Sequence, residues 1–111
     1  MIEKTYSIYA RKFDENSYHW TKNHESNRHL LRAVENYYNN RLKAKGYVFL
    51  RDIYEELDFP ITQTSIVVGW FYDPENKFAD NRIDLSIESI GEGPDFMLDF
   101  NVDGDITGHF N

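Results

Sequence analysis

The chain has 111 residues, 19 acidic against 12 basic, no cysteine, and a formal net charge of −7. That length suits one domain, 1–111, able to bury roughly two-thirds of its unfolded surface without staples. Without cysteine there is no disulfide framework, no thiolate zinc site and no thiol nucleophile. The opening residues hold no apolar run of signal-peptide length, and no stretch approaches about 18 uncharged apolar residues, so a soluble, cytoplasmic domain without membrane contact is expected.

In chain order, Ile2, Tyr6, Tyr9 and Phe13 recur at helical spacing and predict an aromatic helix stripe, with a strand over 6–9 as the alternative. Residues 16–27 read as a polar loop pinned by Tyr18 and Trp20. Ser26 is the expected N-cap of the clearest helix, which ends near Lys45 with Gly46 at the left-handed C′ position. Its apolar stripe is Leu30 or Leu31, Val34, Tyr37 or Tyr38, and Leu42. The opposite face carries Arg28, Arg32, Asn36, Asn39 and Lys43, with Glu35 beside them. Residues 47–50 then read as a short strand, and 52–58 as a short helix presenting Ile53, Tyr54 and Leu57, stopped by Pro60.

The last third reads as β structure. Residues 66–72 are apolar on both alternating faces, as in a central strand covered on two sides. Asp73-Pro-Glu-Asn supplies a turn. Residues 82–88 alternate, with Ile83, Leu85 and Ile87 inward, until Gly91 to Pro94 break the pattern. From 96 to 102, Phe96, Leu98, Phe100 and Val102 face inward, and Asp99, Asn101 and Asp103 outward. Asp103 and Gly104 then predict a hairpin turn into a short final strand, 105–110. The expected fold is α+β, with N-terminal helices packed on a C-terminal antiparallel meander of three to four strands.

Charge divides along the chain. Residues 1–50 carry nine basic and five acidic groups, and residues 51–111 three basic and fourteen acidic. After Arg82 there is no Lys or Arg, while Asp84, Glu88, Glu92, Asp95, Asp99, Asp103 and Asp105 accumulate. A balance of −7 repels nucleic acid and anionic lipid at long range. The split suggests either mutual attraction of two halves or one strongly negative binding face, beside the plain reading of a solvated surplus of acids.

Catalytic constellations are absent from the sequence. There is no GxSxG, no glycine-rich phosphate loop and no Walker lysine. His19, His24 and His29 are spaced by five, His109 stands apart, and HExxH is missing, so no metal site is expected. Acid pairs such as Glu55 with Glu56, or Asp103 with Asp105, sit on segments that read as exposed, where nothing separates their pKa values. Asp99-Phe-Asn101-Val-Asp103-Gly104-Asp105-Ile106 fits the first eight positions of a calcium loop, but Phe110 stands where the bidentate Glu belongs and no helix precedes it. The Arg28 to Lys43 stripe could touch phosphates, against the sign of the whole domain. The negative face could instead imitate them. Same-face residues of a strand are about 6.7 Å apart, against a charge per roughly 3.4 Å on a DNA strand. A mimic therefore needs Asp84 and Glu88 beside Asp95, Asp99 and Asp103 on adjacent strands.

The stretches 9–15 with Trp20, then 46–57, 67–76, 80–84 and 98–104, taken in this order and spacing, resemble a small uncharacterised domain that recurs in phages, prophages and mobile elements of Gram-positive bacteria. The resemblance implies a mobile-element setting, in the host cytoplasm or on the virion, and carries no catalytic residues. It also implies that 98–104 is strand-like. Where a Gly often follows Leu57 in that pattern, this chain has Asp58.

The functional expectation is a non-enzymatic accessory protein that binds a host or phage protein with a basic surface through Asp84, Glu88, Asp95, Asp99, Asn101, Asp103 and Asp105. Its most concrete form is an anti-CRISPR-like inhibitor that mimics nucleic acid on a host defence nuclease. The alternatives are a self-assembling, virion-associated module, in which the basic helix of one copy meets the acidic sheet of another, and a calcium-binding domain. No cofactor, metal or direct nucleic-acid partner is expected.

Overall fold

A computed structural model describes residues 5–110. Its long helix, α1 (His24–Lys45), begins where the side chain of Asn23 accepts the Ser26 amide N–H at 2.8 Å. The cap is therefore Asn23, three residues before the expected Ser26, whose own amide is one of the orphan donors that a cap must satisfy. Asn27, fully buried, braces the entry by donating to the carbonyls of Thr21 and Pro94, both at 2.9 Å. Leu31, Val34, Tyr38 and Leu42 form the buried stripe. Gly46 ends the helix at φ 90°, and its N–H donates to the Leu42 carbonyl at 2.8 Å.

Strand β2 (Tyr47–Phe49) runs straight into the second helix, α2 (Leu50–Glu56). Leu50, Ile53, Tyr54 and Leu57 are fully buried. The helix closes in a Schellman motif: the Phe59 N–H reaches the Tyr54 carbonyl at 2.8 Å, the Asp58 N–H reaches that of Glu55 at 3.3 Å, and Asp58 takes φ 61°. The rings of Tyr54 and Phe59 meet edge-on at 5.8 Å, the apolar contact that accompanies this stop.

The strands are distributed through the chain. With β1 (Arg11–Phe13), β3 (Val68–Phe71), β4 (Glu88–Ser89), β5 (Phe96–Leu98) and β6 (Gly104–Asp105), they make two three-stranded antiparallel sheets, ordered β1-β5-β4 and β2-β3-β6. The α+β class holds, whereas helices followed by one meander does not. No helix forms over 5–13; Phe13 is buried in a strand paired to β5 and the Tyr9 carbonyl accepts the Tyr54 hydroxyl, because the open edge of β5 gives these aromatic residues a ladder to join. Ile2, the first member of the expected stripe, lies outside the described residues. Trp20 packs on the core, but Tyr18 is exposed and pins nothing there.

β3 is the central strand of its sheet, with Val68, Gly69 and Trp70 buried. A Cβ on Gly69 would sit 2.1 Å from the Val48 carbonyl oxygen, so the strand pair requires glycine there. The inward alternation of Phe96, Leu98 and Phe100 is present. Asp103 and Gly104 nonetheless make no hairpin with β5. The chain crosses to the other sheet, where β6 pairs with β3 and the Asp103 N–H reaches the Gly69 carbonyl at 2.8 Å. The edge of β3 needed a partner, and the Asp103 carboxylate, accepting the Phe71 N–H at 2.9 Å, fixes the register. Residues 107–110 form a 3-10 turn in place of strand.

The segment 82–87 buries Ile83 and Leu85 as its alternation requires, yet only Glu88 and Ser89 are strand. Side chains do the work of a ladder here. The Asn39 amide accepts the Ile83 N–H at 2.8 Å and donates to its carbonyl at 2.9 Å. The Asn101 amide accepts from Asp84 and donates to the Arg82 carbonyl, both at 2.9 Å. Buried Glu35 takes the Leu85 N–H at 2.9 Å, with Arg32 at 3.3 Å on its other oxygen. Period-two burial is satisfied by one extended chain whose partners are side-chain amides, a carboxylate and a single backbone donor, the Asp99 N–H, which reaches the Leu85 carbonyl at 3.0 Å.

Candidate functional site

The seven acidic and amide positions singled out by sequence fall into two groups. Glu88, Asp95 and Asp99 lie on the outer face of the β1-β5-β4 sheet, all half-buried. Each is engaged: Glu88 accepts the Tyr6 hydroxyl at 3.0 Å; Asp95 accepts the Trp20 indole at 3.0 Å and pairs with Lys12 at 3.7 Å; Asp99 takes the Ser7 amide at 2.9 Å and the Ser7 hydroxyl. This face is thus crossed by the 6–12 segment and carries a cation.

Asp84, Asn101, Asp103 and Asp105 form the second group, which adjoins the first where the Asp99 N–H donates to the Leu85 carbonyl at 3.0 Å. Asn101 points inward rather than outward, and its oxygen also accepts the buried Trp70 indole at 2.9 Å. Asp84 caps the Ser86 amide at 2.8 Å. Asp105 takes the amide and hydroxyl of Thr107, and the hydroxyl bond above all holds its carboxyl below the usual carboxylate pKa. Asp99, Asp103 and Asp105 therefore aim their oxygens at Ser7, Phe71 and Thr107. Among the described residues no group of three or more His, Asp or Glu is placed to share a metal ion.

Structure adds what the sequence reading passed over, the loop between β3 and Ile83. Asn81, at φ 53°, ties its base by accepting the Asp73 N–H at 2.7 Å and donating to the Asp73 carbonyl at 2.8 Å. Asp80 approaches the Asn101 amide at 3.4 Å, which brings it beside Asp84. Asp73 and Asp103 line one shallow pocket with Phe71 and His109, whose rings stack at 3.8 Å. Glu75, also exposed, completes the set. Asp73, Glu75, Asp80, Asp84 and Asp103 make no ion pair among the described residues. At the tip stands Phe78, 98% exposed. A full aromatic ring in water, on a loop that carries Lys77 as well as the acids, was signalled in the sequence by Phe78 lying between turn residues, outside any periodic pattern.

Chemically this arrangement presents exposed carboxylates and one exposed aromatic ring. Two phenols have strongly shifted pKa values, Tyr38 and Tyr54, each pushed up to about 12 chiefly by burial in the core. No helix of the described residues is long and apolar enough to cross a membrane.

The described residues therefore form a small α+β fold of two helices and two three-stranded sheets that displays an acidic loop carrying one exposed aromatic ring. The chain belongs to DUF6353, a family of unknown function, whose pattern matches residues 1–110. No curated protein and no solved structure matches it.

Proposed function

We propose that this domain is a non-enzymatic accessory protein of a mobile element, working in the host cytoplasm by binding a protein with a basic surface through the 73–84 loop. The exposure of Phe78 among unpaired acids carries the reading. Interfaces draw their energy from a few aromatic anchors that fill a pocket on the partner, while surrounding charge steers the encounter and selects its sign. A host defence nuclease, whose nucleic-acid channel is basic, is the partner class that this chemistry fits most closely. The acids form two patches, so the likeness to nucleic acid is one of charge and not of a continuous phosphate track.

The test uses tagged protein in a Gram-positive lysate washed at about 50 and 500 mM salt, a range over which exposed charge pairs are screened. Phe78→Ser and the Glu75→Lys, Asp80→Lys double variant change side chains with no strong structural partner, so both are expected to melt like the parent and to lose the captured protein. A duplex oligonucleotide should compete with the domain for that protein. Undiminished capture by both variants refutes the loop as the binding site, and failure of the duplex to compete removes the nuclease-channel form.

A further inference from the structure

A groove of about 580 Å³ lies on the helix side of the same loop and has the opposite charge. It is lined by Asn36, Asn39, Asn40 and Lys43 of α1 and by Asn81 and Arg82, with no carboxylate among them. We propose that this groove, which shares Asn81 and Arg82 with the 73–84 loop but none of its carboxylates, binds an extended, acidic peptide segment of a partner protein, a ligand of the opposite charge to the one proposed for the loop's acids.

Two observations point to that ligand. The first is the grip that the helix already exerts on an extended chain. Asn39 holds Ile83 by both its N–H and its carbonyl, because a side-chain amide offers the same donor and acceptor as a peptide group. Asn36 and Asn40 flank Asn39, line the groove, and make no side-chain hydrogen bond among the described residues. At one helical turn apart they stand about 6 Å from each other along the axis, close to the roughly 6.7 Å between alternate residues of an extended chain. A second chain laid along the groove can therefore meet both amides with every other peptide group.

The second observation is charge. Lys43 and Arg82 flank the groove and form no ion pair among the described residues, in a domain whose net charge is −7. Lys43 lies about 10.5 Å along the axis from Asn36, so the cations and amides span several residues of an extended ligand. A single inorganic anion would meet only part of this array. The walls are fixed before any ligand arrives, since the Asn39 amide is locked to Ile83 and the Asn81 amide to Asp73, which limits the ordering cost of binding.

The experiment is an NMR titration of the isotope-labelled chain with an acetylated, amidated hexapeptide alternating Glu and Ala. Saturable shifts are expected at the side-chain amides of Asn36 and Asn40 and at Lys43 and Arg82, with affinity reduced at least about tenfold by Lys43→Met, by Arg82→Met or by raised salt. The Asn36→Ala, Asn40→Ala double variant should weaken the peptide and leave any response to inorganic phosphate unchanged. The proposal is overturned by the absence of saturation up to about 5 mM peptide, by variants that bind like the parent, or by phosphate alone reproducing the asparagine shifts. It is equally overturned if those resonances move with protein concentration in the absence of peptide, which would make a second copy the occupant.

Discussion

Asn101 joins three parts of the molecule through one side chain, and its replacement by alanine gives a worked test of how the 82–84 segment is held. The amide makes three contacts of 2.9 Å, to the Trp70 indole, the Asp84 N–H and the Arg82 carbonyl. Trp70 is 1% exposed, so truncation leaves its N–H buried without a partner, at about 1–3 kcal/mol. Asp84 and Arg82 are exposed and can turn to water, so each lost bond there costs only about 0.5–1 kcal/mol. Asn101→Ala is therefore expected to destabilise by about 2–5 kcal/mol, a large share of the ~5–15 kcal/mol that holds a small domain. Urea unfolding followed by circular dichroism measures it; with a slope of about 1–2 kcal/mol per molar, the midpoint should fall by roughly 1–5 M. Asn101→Asp keeps the acceptor for Trp70 and Asp84, loses the donor and adds charge beside Asp80 and Asp84, and should fall between alanine and the parent. An alanine variant with the parent's midpoint, or one more stable than the aspartate, would refute the reasoning.

Gly69→Ala forces a Cβ to 2.1 Å from the Val48 carbonyl oxygen and 2.9 Å from the Phe49 Cα, so soluble expression should fail or stability drop by about 4 kcal/mol or more. At the left-handed Asp58, whose carboxylate accepts the Tyr18 N–H at 2.6 Å, alanine should cost about 1–2 kcal/mol in thermal unfolding. Glycine at the same position, relieving strain while losing that bond, should stay within about 0.5 kcal/mol of the parent. Burial pushes the hydroxyls of Tyr38 and Tyr54 up to about 12, whereas an unfolded tyrosine ionises near about 10. The unfolded chain sheds these protons first, so the stability they confer is complete below about pH 10 and falls as pH rises towards 12. Phenolate absorbance during an alkaline titration should contain two late components, one removed by Tyr38→Phe and the other by Tyr54→Phe.

Local signals carried much of the architecture. Gly46, the stripe of Leu31, Val34, Tyr38 and Leu42, and the inward set of Phe96, Leu98 and Phe100 were legible because burial periodicity and cap chemistry act over a few residues. Pairing was not legible. Alternation over 82–88 reports which side chains are buried, and it is silent on whether the backbone's partners are another strand or the amides of Asn39 and Asn101, 44 and 17 residues away. The crossing of the chain at Asp103 likewise depended on the unfilled edge of β3, a property of the assembled sheet. The same limit applied to the interaction surfaces. Composition located the acids, but only the fold divided them between a face crossed by Lys12 and a loop tipped by Phe78. The polar helix stripe of Asn36, Asn39 and Lys43 was visible in the sequence, whereas Arg82 across the groove was brought there by the bonds at Ile83.

A backbone ladder is indifferent to the residues that form it, and most codons along a strand can change without deleting its hydrogen bonds. The stretch from Ile83 to Leu85 has given up most of that insurance: apart from the backbone bond between Asp99 and Leu85, its place is written in Asn39, Asn101 and Glu35, each on a distant part of the chain. A single nucleotide change at any of those three codons can unfasten a segment that it does not encode. The inheritance of the acidic loop, which ends in that segment, is bound to residues encoded far from it, Asn101 among them reaching the loop directly at Asp80 and Arg82.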